Sequence, residues 1–272
     1  MRFISILFMF LVASTFAKES KVSPEENLRS EASSLFTAID ETQAEAPKET
    51  AGAPFHLYQL GKKLYFDKNL SASGTISCNS CHGLDTFGVD NKPTSPGHDG
   101  RTGDRNSPTV YNATYHTAQF WDGRAGNLEE QATGPLLNPI EHGIKDEAEL
   151  ISKISSQEYM EQFQKAFGNN KARTLKNVGV AISAFEKTLV TPSRFDDFLK
   201  GKLKSLNARE KKGLKKFIEV GCTSCHNGQG IGGEQFQKLG LVKDYPTKDL
   251  GRFVVTKNEE DKYMFKVPGR RT

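Results

Sequence analysis

Two copies of Cys-x-x-Cys-His, Cys78-Asn79-Ser80-Cys81-His82 and Cys222-Thr223-Ser224-Cys225-His226, use all four cysteines of the 272-residue chain. Two thiols three positions apart can each add to one vinyl group of a haem, and the histidine directly after the second thiol then sits beneath the iron as its proximal ligand. Two covalent c-type haems are therefore expected, one on Cys78, Cys81 and His82 and one on Cys222, Cys225 and His226. Zinc ribbons also pair such elements, but usually roughly fifteen to twenty residues apart; here more than half the chain separates them. A thioredoxin-like redox pair would sit in a βαβ context that neither motif shows. Two structural disulfides would close loops of only two residues, which is inefficient crosslinking.

Apolar content of 36% with 26% charged residues describes a soluble protein, and a formal charge of +4 with no basic run gives no footprint for nucleic acid. The N-terminus has the form of an export signal. Arg2 precedes an apolar run from Phe3 to Phe16, and Thr15-Phe16-Ala17 approximates the small-x-small cleavage rule, so residues 1–17 are expected to be removed. The run is shorter than the roughly 20 residues that span a bilayer, and Lys18, Glu19 and Lys21 follow at once, so no membrane span is expected after cleavage. No cysteine follows it to carry a lipid. Covalent haem attachment takes place on the outer side of a bacterial inner membrane, and a periplasmic mature protein is consistent with both signals.

Residues 18–53 read as a short helix, with Leu28, Leu35, Phe36 and Ile39 on one face, joined by a flexible linker. Phe55 to Asp67 has helical spacing at Leu57, Leu60 and Leu64. Gly83 to Pro108 holds five glycines and three prolines, a long irregular loop that includes His98. Asn127 to Ala132 predicts a helical turn that Gly134-Pro135 breaks. Asp146 to Phe167 and Arg173 to Val190 each read as one core helix, and Phe195 to Gly201 as a join. Asn207 with Glu210 forms a capping box for a helix running up to Cys222. No segment alternates as a buried sheet, so the fold is expected to be mainly α.

Several stretches, in order around the two motifs, resemble the bacterial di-haem cytochrome c peroxidases. They are Leu60-Gly61-Lys62-Lys63-Leu64-Tyr65-Phe66-Asp67, Arg105-Asn106-Ser107-Pro108-Thr109-Val110, Phe120-Trp121-Asp122-Gly123-Arg124-Ala125, Leu128-Glu129-Glu130-Gln131-Ala132, Asn138-Pro139-Ile140-Glu141 and Phe265-Lys266-Val267-Pro268. The resemblance implies two cytochrome c-like haem domains, at 54–195 and 196–272, the second incomplete. It implies that the first haem reduces hydrogen peroxide to water while the second accepts electrons from a small donor, a monohaem cytochrome c or a cupredoxin. His98 matches the distal iron ligand that must leave before peroxide binds. Glu141 and Gln131 match the catalytic pair, a carboxylate to move the peroxide proton and an amide to orient the substrate. Trp121 matches the residue between the haems, and Asn106 one ligand of a calcium ion whose other donors are backbone oxygens. Homodimers are common in the family.

The sequence departs from the family pattern twice. His142 follows Glu141 where the family commonly has methionine, and the chain reads Gly269-Arg270-Arg271-Thr272 where the family continues to the methionine that ligates its second haem. Met264 precedes the Phe-Lys-Val-Pro run and is expected to pack rather than to replace that ligand. Two alternatives stay open: a di-haem electron carrier without chemistry of its own, and a relative that matures a tryptophan-derived quinone on another protein. The carrier has no need of Glu141 and Gln131, and His98 together with Gln131 leans toward the peroxidase.

Overall fold

The computed structural model describes residues 22–169 and 172–271; the signal segment expected at 1–17 lies outside them. The described residues are mainly helical, as the sequence predicts. Helix α1 (Pro24–Leu35) opens on a capping box between Ser23 and Glu26. It stops before Phe36, which is extended, so the apolar stripe leaves the helix; Phe36 and Ile39 are buried all the same. Helix α2 (Ala53–Phe66) buries Leu60, Leu64 and Tyr65, and a single turn capped by Ser77, α3 (Cys78–Cys81), carries the first motif.

Helix α4 (Leu128–Leu137) is longer than its sequence suggests, because it runs through Gly134 and Pro135. Proline withholds one helical N–H, but Leu136 beyond it is fully buried, and the Pro135 carbonyl accepts from the N–H groups of Asn138 and His142. The stretch expected as one helix over 146–167 is two, α5 (Glu147–Lys153) and α6 (Gln157–Phe167). Ile154 leaves helical geometry and Ser156 starts a new cap by accepting from the Tyr159 N–H. Helix α7 (Leu175–Glu186) follows. The supposed join is itself a helix, α8 (Arg194–Leu199), with Phe198 and Leu199 buried, so the boundary drawn at 195/196 falls inside it. Helix α9 (Ala208–Glu219) has the expected Asn207–Glu210 box. A short α10 (Phe253–Thr256) precedes the second of two three-residue strands, β1 (Phe236–Lys238) and β2 (Met264–Lys266), which pair antiparallel with Phe236 opposite Lys266. Met264 is half-buried in β2, opposite Lys238.

Two apolar cores organise these elements. The larger joins α2, α4, α5, α6 and α7 through Leu60, Leu64, Leu136, Leu150, Phe163 and Ile182. Each such fully buried side chain contributes about 1.5–3 kcal/mol, so this core is a firm platform for the first motif. A β-carbon on Gly61 would lie 1.8 Å from the Ala181 carbonyl oxygen, which is why α2 and α7 can cross so closely. The smaller core joins α1 to α8 and α9 through Ala32, Phe36, Phe198, Leu199, Leu214 and Phe217. Leu28, Ala32, Leu35, Phe36 and Ala38, in the stretch read from sequence as a short helix and a flexible linker, are thus part of the core on which the second motif rests. Among the described residues no helix is long and apolar enough to cross a membrane.

Candidate haem site

Cys78, Cys81 and His82 line one cavity of about 1000 Å³ between α3, the loop 95–110, α4, the segment 138–142 and the end of α7. That volume stands at the upper end of the roughly 300–1,000 Å³ typical of ligand and cofactor pockets. Both thiols are free, and burial pushes both above the usual thiol range. The His82 Nδ1 lies 3.0 Å from the Pro108 carbonyl oxygen. A carbonyl can only accept, so Nδ1 carries the proton and Nε2 is left with its lone pair. Burial lowers the His82 pKa and keeps the ring neutral, the form that ligates a metal. The Tyr65 hydroxyl donates to the His82 carbonyl at 2.7 Å, tying the motif to α2. Paired thiols, a neutral imidazole of fixed tautomer and a cavity of this size fit a covalently bound haem. Among the lining residues Lys248 offers a cation suited to its carboxylates, whereas Arg124 is matched by Asp122 at 3.2 Å and Arg105 by Asp249 at 2.6 Å and Asp122 at 2.7 Å.

The expected catalytic pair faces the same cavity. Gln131 reaches it from the middle of α4, and Glu141 from the turn that follows. Burial raises the Glu141 pKa, against the pull of Arg124 and of a 2.7 Å hydrogen bond from Asn138 Nδ2. A carboxyl poised in this way can both give and take a proton. His98 is placed differently. Its N–H donates to the Glu141 carbonyl at 2.8 Å, so the loop is docked beside the catalytic turn, but its ring is not among the cavity-lining residues. The ring lies against Gly143, with Nε2 3.2 Å from the Pro139 carbonyl oxygen, where a β-carbon on Gly143 would approach it to 2.2 Å.

Trp121 lines the main cavity and also a smaller one of about 230 Å³ shared with Asn106, His116, Lys266 and Pro268. Its indole N–H donates to the Asn106 carbonyl at 2.8 Å, and its own carbonyl accepts from the Lys266 N–H. It therefore stands between the first cavity and the chain that carries β2. The Asn106 side chain donates to the Lys92 carbonyl at 2.7 Å, leaving its oxygen as the group available to a cation. The second motif repeats the first in one respect: His226 Nδ1 lies 3.2 Å from the Ile231 carbonyl oxygen, which again leaves Nε2 free. Cys222 and Cys225 are half-buried thiols, and this motif lines neither of the two cavities.

Two residues at the main cavity carry roles that the sequence reading did not assign. His142 is 5% exposed and lines the cavity, with Nδ1 2.5 Å from the Leu70 carbonyl oxygen. Its pKa is lowered by burial first, and by the nearby His82 and His98 rings, against the opposite effect of the Leu70 hydrogen bond. Glu186, at the end of α7, is 5% exposed, lines the cavity and has an Oε2 with no partner. Its signal was the helical phase: four residues after the buried Ile182, it had to face the core. Burial pushes its carboxyl up to about 8 from an ordinary value near 4.5. Between those values the folded chain binds more protons than the unfolded one, so this contribution to stability is complete below the lower value and is lost as pH rises through the upper. The urea midpoint is expected to fall from pH 5 to pH 8, and Glu186→Gln to flatten that slope. An unchanged slope would show that Glu186 does not titrate in this window.

The paired thiols, the imidazole and the cavity define the first half as a c-type haem protein. The profile of the di-haem cytochrome c peroxidase family matches residues 56–204. The chain is 47% identical over 250 residues to the cytochrome c551 peroxidase of Pseudomonas aeruginosa, a match covering 88% of this chain and 70% of that one. It is 48% identical over 213 residues to the cytochrome c551 peroxidase of Nitrosomonas europaea, covering 77% and 64%. Among solved structures, a MauG-like protein associated with microbial copper homeostasis superposes with a TM-score of 0.72 at 26% identity, over 86% of this chain and 71% of that one. The chain belongs to the di-haem cytochrome c peroxidase family and spans about two thirds of the length of these two peroxidases.

Proposed function

We propose that the chain reduces hydrogen peroxide at the first haem, drawing electrons through the second. The observation that carries this reading is that Glu141 and Gln131 face the cavity that also holds Cys78, Cys81 and His82. The balance is one peroxide, two protons and two electrons to two waters. The haem would be held by the two thiols and by His82 Nε2, and when bound it supplies the iron at which the O–O bond is cleaved. Glu141 takes the proton from the near peroxide oxygen and returns it to the departing one, while Gln131 orients the substrate. Asn138 holds the carboxyl in place through its 2.7 Å hydrogen bond. His98, on the docked loop, would be the second ligand of the haem iron and would have to leave it to admit peroxide; its ring would first have to turn from Gly143 and the Pro139 carbonyl. The test of the reaction is peroxide-dependent oxidation of a reduced small cytochrome c or cupredoxin, compared with Glu141→Gln.

The reading extends to a periplasmic location, a cleaved signal, two covalent haems, a homodimer, and a calcium ion that takes the Asn106 oxygen as one ligand. Trp121 is the bridge for electrons, and Cys222, Cys225 and His226 hold the accepting haem. Native mass spectrometry of protein exported from a bacterial host reads the other claims together. The expected species is a dimer of chains beginning at Lys18, each with two haems and one calcium. A chain beginning at Met1, or one without haem, would count against export or against haem attachment, respectively. The likeness to a MauG-like structure favours a second reading, oxidation of a tryptophan-derived quinone precursor on another protein; rapid turnover with a small donor argues for the peroxidase.

A further inference from the structure

Lys266, the last residue of β2, is only 6% exposed, and among the described residues no carboxylate is paired with it. Its one polar side-chain neighbour is His116, whose Nδ1 lies 3.0 Å from Nζ. An ammonium can only donate, so Nδ1 accepts, and two ammonium protons remain for another partner. His116 adds no negative charge. Burial first, and then the nearby Lys266 charge, pull its pKa down to about 3, so the ring is neutral. Burial also lowers the Lys266 pKa, to about 8, which still leaves the amine mostly charged near neutral pH. A cation held away from water without an opposite charge is costly.

The amine lines the smaller cavity of about 230 Å³. The other side-chain donors there are committed. The Trp121 indole donates to the Asn106 carbonyl, the Asn106 amide to that of Lys92 and the Thr109 hydroxyl to that of Phe87, while the Ser107 hydroxyl pairs with Ser95. His116 is locked in place: a β-carbon on Gly233 would lie 2.0 Å from its Cδ2, and one on Gly269 3.0 Å from its Nε2. The ring therefore fixes the direction of the ammonium. At roughly 30 Å³ per water, the cavity has room for a small anion with some of its hydration, and it falls below the roughly 300–1,000 Å³ of ordinary ligand and cofactor pockets.

We propose that this cavity is an anion site, in which the Lys266 ammonium, oriented by His116, holds a carboxylate. The two free ammonium protons can meet the two oxygens of such a group in charge-assisted hydrogen bonds. The carboxylate has two sources, a side arm of a haem or a free small acid. The first is at hand because residues 106–109, Phe120 and Trp121 line both this cavity and the one that holds Cys78, Cys81 and His82. The site goes beyond the peroxidase reading and does not depend on Glu141 or Gln131.

The test uses the haem-loaded protein, freed of small anions, with formate as the probe. Isothermal titration is expected to find one formate per chain if the cavity takes a free acid, and none if a haem carboxylate already fills it. In the first case Lys266→Met is expected to lose the formate site and Lys266→Arg to keep it. In the second, redox titration of Lys266→Met is expected to show a lower reduction potential for one haem, since a cation that favoured the ferrous state is gone, and Lys266→Arg to restore it. An apolar residue replacing a buried charge is often tolerated, but a crystal structure of the wild type grown in formate needs no variant. It is expected to show a carboxylate oxygen within hydrogen-bond distance of Lys266 Nζ, and the molecule that bears it names the source. The proposal is overturned if only water stands at Nζ, or if neither formate binding nor a haem potential responds to Lys266→Met. Peroxide turnover with water alone at Nζ defeats only this site, whereas formate at Nζ in a chain without haem defeats the haem reading and upholds the site.

Discussion

Glu141→Gln is expected to lower peroxide-dependent turnover by about a hundred- to ten-thousand-fold, the range for removing a positioned general acid–base group. The substitution keeps the shape of the side chain and its contact with Asn138, 2.7 Å away, but an amide cannot accept a proton from peroxide and return it. Haem content and the ferric spectrum should stay as in the wild type, because Glu141 is attached to neither the iron nor the thioethers. The result to look for is thus a fall in kcat without loss of cofactor, in a steady-state assay with a reduced small cytochrome as donor. Turnover within about threefold of wild type would remove Glu141 from the mechanism.

Asp196→Ala is expected to cost about 3–5 kcal/mol of folding stability, the typical result of removing one partner of a buried ion pair. Asp196 and Arg271 are each only 2% exposed, with Nη1 and Oδ1 2.6 Å apart. The same carboxylate accepts from the Ile39 N–H at 2.7 Å and, through Oδ2, from the Ser193 N–H at 2.8 Å. Without it the guanidinium keeps, among the described residues, only carbonyl partners, those of Thr37 and Gln229, and no carboxylate among them compensates its buried charge. The exposed Arg194–Glu210 pair has the same 2.6 Å separation, yet its loss should barely register, because water replaces the partner. Urea unfolding of the two variants side by side is the measurement; equal shifts would mean that burial does not govern the Asp196 pair.

Chemistry carried by a short local pattern was the most legible part of the chain. The two Cys-x-x-Cys-His motifs and the Asn207–Glu210 cap need only neighbours in sequence, and the mainly helical fold followed from apolar spacing. Spacing misled where a local hydrogen bond interrupts a stripe. Leu150 and Ile154 before Ser156, and Phe163 and Phe167 after it, are each four residues apart, a helical interval that hides the break between them, and Pro135 looks like a stop although the buried Leu136 keeps the helix going. Long-range facts were not legible at all. Nothing local reveals that Phe36 stacks edge-on against Phe195 at 5.4 Å, or that residues 24–39 complete a core with α8 and α9. At the site, the identities of Gln131, Glu141 and Trp121 were readable by resemblance, and all three line the main cavity. The direction of the His98 ring and the tautomer of His142 depend on carbonyls 41 and 72 residues away in the chain.

The carbonyls that anchor His82, His142 and His226 belong to the main chain of Pro108, Leu70 and Ile231. A side-chain partner such as aspartate can be lost by one substitution, but a peptide oxygen survives any exchange of the residue that bears it, provided the backbone path is kept. The protonation pattern of these imidazoles is therefore buffered against point mutation at 70, 108 and 231, and drift at those positions can be broad without altering what each Nε2 is able to bind. What the chain cannot tolerate there is a change of length: one residue inserted or deleted beside any of the three would carry the oxygen away and release the ring.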